Sequence, residues 1–109
     1  MESLGAQPFI KLNNGVIMPQ IGLGTYKMSS EEAKQTLKEA VMELGYRHLD
    51  TAAAYMNEEA IGEVLHACFA EGLKREEIFI TTKLYPAHFA DPVAAANESL
   101  KKLKLDYVD

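Results

Sequence analysis

In GYRHLDTAAAYMNE, residues 45–58, an aspartate closes a short apolar stretch and a tyrosine follows five residues later, just before a helical pattern begins. Further along, Thr81-Thr82-Lys83 puts a lysine at the end of another apolar, β-branched run. Asp50, Tyr55 and Lys83 are residue types that can move a proton together. A tyrosine with an ordinary pKa of about 10 is a poor donor at neutral pH. A lysine ammonium beside the hydroxyl stabilises the phenolate and eases loss of the proton, and an aspartate paired with that lysine keeps it protonated and aimed. Such a trio can protonate a carbonyl oxygen while hydride arrives at the carbon. The chemistry requires only that the three side chains meet.

The elements that must bring them together are legible in the hydrophobic pattern. Phe9–Leu12 and Val16–Met18 flank Asn13-Asn14-Gly15, which predicts a hairpin with a tight primed turn, its second strand stopped by Pro19. Ile21-Gly22-Leu23-Gly24 reads as a short strand weakened by its glycines. Ser29 and Glu32 form a capping-box pattern ahead of a helix whose apolar face is Ala33, Leu37, Ala40, Val41 and Leu44, with Gly45 as its stop. Tyr46–Leu49 is a second strand. A second helix starts from Asn57, with Ile61, Val64, Leu65 and Cys68 on one side and Gly72 at its end. Ile78–Thr82 is a third strand. Asp91-Pro92 opens a third helix with a predicted buried stripe of Val93, Ala96, Leu100 and Leu103. Strand and helix alternate three times after the hairpin, which implies right-handed βαβ units and a parallel α/β sheet.

In such sheets, sites gather beyond the carboxyl ends of the strands. Gly24-Thr25-Tyr26, Asp50 to Tyr55, and Lys83-Leu84-Tyr85 all occupy that position, so Asp50, Tyr55 and Lys83 are expected at one end of the sheet. Spacing alone leaves two readings open: a proton-donating trio, or an ion pair that closes the rim with Tyr55 as packing.

Composition narrows the partners. Across 109 residues, 48% hydrophobic and 25% charged, the net charge is −5, which does not suit a nucleic-acid surface. Cys68 is the single cysteine, on an apolar helix face, so a buried inert thiol in a reducing compartment is expected. Residues 1–5 have neither a basic start nor an apolar run, and no stretch reaches transmembrane length, so a soluble cytoplasmic protein is expected, with no membrane partner. His48, His66, His88 and Cys68 lack metal-ligand spacing, so no metal is expected. Gly22-Leu23-Gly24 begins like a dinucleotide fingerprint, but Lys27 stands in the place of its third glycine.

GYRHLDTAAAYMNEEAIG resembles the first signature of the aldo-keto reductases, a Gly-Tyr/Phe-Arg-x-x-Asp-Thr/Ser-Ala core leading to Tyr and Asn-Glu. Thr81-Thr82-Lys83-Leu84 is similar to the lysine segment of that family, Ile21–Thr25 to its opening strand, and Leu12–Gly15 to the hairpin that closes the barrel bottom. The resemblance implies a fold: the N-terminal part of an eight-stranded TIM (β/α)8 barrel, with a leading hairpin, three βα units and the start of strand four at Asp106–Asp109. Residues 1–109 are then expected to be a partial domain that stops within that strand.

The resemblance also implies roles. Tyr55 becomes the general acid, Lys83 the cation that activates it, and Asp50 the lysine's partner and a contact for the nicotinamide ribose. Gly24 and Thr25 lie beside the cofactor, expected to be NADPH. Tyr26 and Tyr85 occupy substrate-pocket positions where many members carry tryptophan, which this chain lacks. The implied enzyme is a monomer that reduces aldehydes or ketones to alcohols, acting on a small carbonyl substrate. Its catalytic histidine and phosphate-binding loops fall beyond Asp109, so residues 1–109 alone are expected to be inactive. The alternative is a non-catalytic cofactor sensor or structural protein on the same barrel.

Overall fold

The computed structural model describes residues 8–109. Its elements run β1 (Phe9–Lys11), β2 (Ile17–Pro19), β3 (Leu23–Gly24), α1 (Ser30–Met42), β4 (His48–Asp50), α2 (Glu58–Ala70), β5 (Phe79–Thr81) and α3 (Pro92–Leu103), with single 3-10 turns at Ala53–Tyr55, Arg75–Glu77 and Pro86–His88. β1 and β2 form an antiparallel hairpin, and β3, β4 and β5 form a parallel sheet in that order. Gly24 pairs with Asp50 and Asp50 with Thr81, so the last residues of the three strands stand in one row. The described residues form an open three-stranded sheet and do not close a barrel.

The hairpin differs from the expected two-residue primed turn. Gly15 N–H donates to the Leu12 carbonyl at 2.9 Å, and Leu12 N–H donates to Val16 at 2.8 Å. Of the loop residues only Gly15 is left-handed, at φ +87°. This is a three-residue loop, a turn followed by a glycine bulge, which needs one positive φ rather than two. Pro19 is also the last residue of β2, paired with Phe9, rather than a stop before it. An edge strand tolerates the missing N–H.

The capping box forms as the sequence implies. Glu32 N–H donates to Ser29 Oγ at 3.2 Å and Ser29 N–H to Glu32 Oε1 at 3.0 Å. Ala33, Leu37, Ala40 and Val41 bury one face of α1, while Leu44 lies past the helix end and is 68% exposed. Gly45, at φ +82°, turns the chain into β4. Ile61, Val64, Leu65 and Cys68 of α2 meet that face over Leu49 and Ile80 of the sheet. Each such buried aliphatic side chain is worth roughly 1.5–3 kcal/mol. Burial pushes the Cys68 thiol above its ordinary pKa, as suits an inert core residue.

α3 departs from its predicted stripe. Val93 and Ala96 are exposed, and the buried residues are Ser99 and Leu103. From Pro92 to Glu98 the helix is exposed apart from the half-buried Ala95, and burial begins at Ser99, which bonds Glu58 of α2. The contact there is close: a Cβ on Gly62 would stand 2.7 Å from the Lys102 and Leu103 carbonyl oxygens. The expected fourth barrel strand forms no ladder. Asp109 N–H donates to the Ile80 carbonyl at 3.0 Å, Ile80 N–H donates to Asp109 Oδ2 at 3.0 Å, and Arg75 pairs with that carboxylate at 2.9 Å. These bonds lay the segment alongside β5. No helix among the described residues is long and apolar enough to cross a membrane.

Candidate active site

The row Gly24, Asp50, Thr81 marks the carboxyl end of the sheet, and the loops leaving it are tied across strands. Thr51 N–H donates to the Thr81 carbonyl at 2.8 Å, and Ala53 N–H to the Lys83 carbonyl at 3.1 Å. After Ala52 the chain closes a 3-10 turn whose last residue is Tyr55. Met56 follows at φ +61°, a left-handed angle that costs a non-glycine residue about 1–2 kcal/mol. Tyr26 is likewise followed by a left-handed residue, Lys27 at φ +64°. The two strained turns present their tyrosines to each other, with ring centroids 5.1 Å apart and planes tilted by 53°.

Lys83 reaches back over β4. Its Nζ donates to Asp50 Oδ1 at 2.6 Å and to the Thr51 carbonyl at 2.9 Å. The same ammonium lies 5.2 Å from the centre of the Tyr55 ring. Burial works against the Lys83 charge, but the hydrogen bond and charge of Asp50 outweigh it and Tyr55 adds in the same direction. Its pKa therefore stands above the ordinary lysine value. The Lys83 and Asp50 side chains are still 46% and 38% exposed, so the pair remains open to a ligand. A half-buried phenol, a cation and a carboxylate in this arrangement can hand a proton to a basic oxygen placed above Tyr55.

Residues 19–109 match the family model described as the aldo/keto reductase family. The chain belongs to that family. Among curated relatives, it is 49% identical over 100 residues to the methylglyoxal reductase DkgA of Escherichia coli K12, covering 92% of this chain and 35% of the relative. It is 45% identical over 100 residues to the glycerol 2-dehydrogenase (NADP(+)) of Saccharomyces cerevisiae, covering 92% of this chain and 31% of that enzyme. The crystal structure of a Bombyx mori aldo-keto reductase, AKR2E4, in complex with NADP superposes with a TM-score of 0.87 at 43% identity, over 94% of this chain and 36% of that one. This aldo-keto reductase chain thus spans about a third of the length of the curated relatives it matches.

Within it, the structure brings Asp50, Lys83, Tyr55 and Tyr26 together. Tyr85 packs edge-on against His88, 6.1 Å between centroids. Gly24 lies open at the rim, with nothing within 4 Å of where a Cβ would stand. Thr25 is fully buried, and its hydroxyl donates to the Asp50 carbonyl at 3.1 Å. It supports the site from beneath and offers no free side chain. His48 bridges the hairpin and sheet through the Pro19 carbonyl at 3.1 Å and Thr81 Oγ1 at 3.2 Å. A Cβ on Gly22 would come within 3.0 Å of its ring, so that glycine makes room for it.

Two residues escaped the reading of the sequence. Asn57 and Glu58 open α2 and are each 2% exposed. Asn57 ties the loops after β3 and β4 together. Glu58 accepts from Thr82 Oγ1 at 2.7 Å and from Ser99 Oγ at 3.2 Å, which fastens the residue before Lys83 to both helices. Their one signal was the Asn-Glu pair of the signature, read only as a helix start.

Proposed function

We propose that this chain carries the proton-donating part of an NADPH-dependent reductase of aldehydes or ketones, on the first strands of a (β/α)8 barrel. The observation that supports the reading is the Lys83 ammonium held 2.6 Å from Asp50 and 5.2 Å from the Tyr55 ring. Tyr55 gives its proton to the carbonyl oxygen, Lys83 stabilises the phenolate left behind, and Asp50 holds Lys83 charged and in place. Tyr26, against Tyr55, walls the position where the carbonyl lies.

The residues present suit the nicotinamide end of the cofactor. Gly24 leaves the rim clear, and the part-exposed Asp50 carboxylate can accept from a ribose hydroxyl. When bound, NADPH supplies hydride to the carbonyl carbon. The preference for the phosphorylated cofactor is supported by the NADP named for the yeast relative and the Bombyx mori structure. We read residues 1–109 as a partial domain and as inactive alone, since they span about a third of the length of the relatives they match. The lone buried Cys68 suits the cytoplasm.

The test is to mix the full-length enzyme carrying this segment with NADPH and small aldehydes, methylglyoxal among them. Oxidation of the cofactor in step with alcohol formation is the expected result. Cofactor binding with no turnover of any aldehyde or ketone would overturn the reading in favour of a sensor.

A further inference from the structure

Beneath the site, one buried side chain meets both loops that carry it. Asn57 stands at the N-cap of α2, yet its side chain does not cap the helix. Its Nδ2 donates to the Thr25 carbonyl at 2.9 Å and to the Met28 carbonyl at 3.3 Å, and its Oδ1 accepts from Thr51 Oγ1 at 2.9 Å. The contacts to Thr51 and Thr25 lead toward Lys83. The Thr51 carbonyl accepts from Lys83 Nζ at 2.9 Å. Thr25 N–H and Oγ1 both donate to the Asp50 carbonyl, at 3.0 and 3.1 Å, and the Asp50 carboxylate is the other acceptor of Lys83. The span from Thr25 to Met28 also carries Tyr26, whose ring rests on Tyr55.

We propose that Asn57 is a positioning residue: through Thr51 and Thr25 it fixes the two oxygens that aim Lys83, and through the Thr25–Met28 turn it holds Tyr26 against Tyr55. An amide is required because the position needs a donor for two carbonyls and an acceptor for one hydroxyl on a single short side chain. Alanine there leaves the buried Thr51 hydroxyl without its acceptor and takes one donor from each of the Thr25 and Met28 carbonyls. The proposal rests on the reading of Tyr55 as proton donor, and deepens it by naming what sets the geometry.

The experiment compares Asn57→Ala, Thr51→Val and Thr51→Ser in the full-length enzyme. Asn57→Ala is expected to lower kcat by about ten- to a hundredfold, the scale of an ångström-size misplacement, with KM for the aldehyde changed less. Thr51→Val reproduces part of the loss and combines non-additively with Asn57→Ala, whereas Thr51→Ser recovers most of the activity. Titration of the Lys83 Nζ resonance needs no turnover, and in Asn57→Ala it falls back toward an ordinary lysine. A wild-type kcat or an unmoved Lys83 titration in folded Asn57→Ala or Thr51→Val overturns the proposal. If Asn57→Ala does not fold, the Thr51 pair decides. Should Tyr55→Phe keep full activity, the proton-donor reading fails, and the Lys83 titration still tells whether Asn57 aims the lysine.

Discussion

Lys83 Nζ lies 2.6 Å from Asp50 Oδ1, so a side chain leaving the end of β5 is anchored on the last residue of β4. That link joins neighbouring strands at the end of the sheet where Tyr55 stands, and it raises the lysine pKa. The folded state therefore holds the Lys83 proton more tightly than the unfolded chain. Its contribution to stability is complete below the unfolded lysine value of about 10.4 and is lost as pH rises through the higher folded value. With both side chains more than a third exposed, the contribution stays below about 1 kcal/mol. Asp50→Asn removes it. Urea midpoints followed from pH 8 to 11 should show an alkaline decline shallower in the variant than in the wild type, and identical slopes would contradict the pairing.

Gly62 is a point of close approach between α2 and α3. Alanine at an exposed helical glycine stabilises by roughly 0.5–1 kcal/mol. Here the added methyl would lie 2.7 Å from two carbonyl oxygens of α3, and such overpacking costs about 1–3 kcal/mol. Gly62→Ala should be destabilising on balance, by about 1–2 kcal/mol in a denaturant titration. A higher midpoint for the variant would mean that the two helices are free to separate.

Glu58 is a buried carboxylate held by two hydroxyls, Thr82 and Ser99. Glu58→Ala leaves both hydroxyls without their partner and should cost about 2–4 kcal/mol, against about 1 kcal/mol for Ser99→Ala, which removes the longer bond. Equal effects of the two changes, read from thermal unfolding, would show that the Thr82 bond contributes nothing.

How much of this was legible in the sequence follows from which interactions are local. The caps at Ser29 and Asp91 and the stop at Gly45 are written within a few residues and form as read. The meeting of Asp50 with Lys83 followed from strand order and one general rule about strand ends. The stripe on α3 failed because burial depends on what lies opposite: Val93 is apolar and correctly spaced, yet 70% exposed. The hairpin turn was misread because Asn-Gly serves a primed turn and a glycine bulge equally well. Asn57 stayed hidden for a similar reason. A helix-capping residue and a buried clamp look alike until Thr25, 32 positions earlier, is seen beside it.

Replacing Tyr55 with phenylalanine in the full-length enzyme keeps the ring, and with it the packing against Tyr26, while removing only the hydroxyl. The decisive measurement is the rate of aldehyde reduction by that variant beside its affinity for NADPH. Loss of a general acid lowers kcat by about 10²–10⁴-fold, with the cofactor Kd close to that of the wild type. Undiminished turnover in Tyr55→Phe would contradict Tyr55 as the donor, whatever Lys83 and Asp50 hold in place around it.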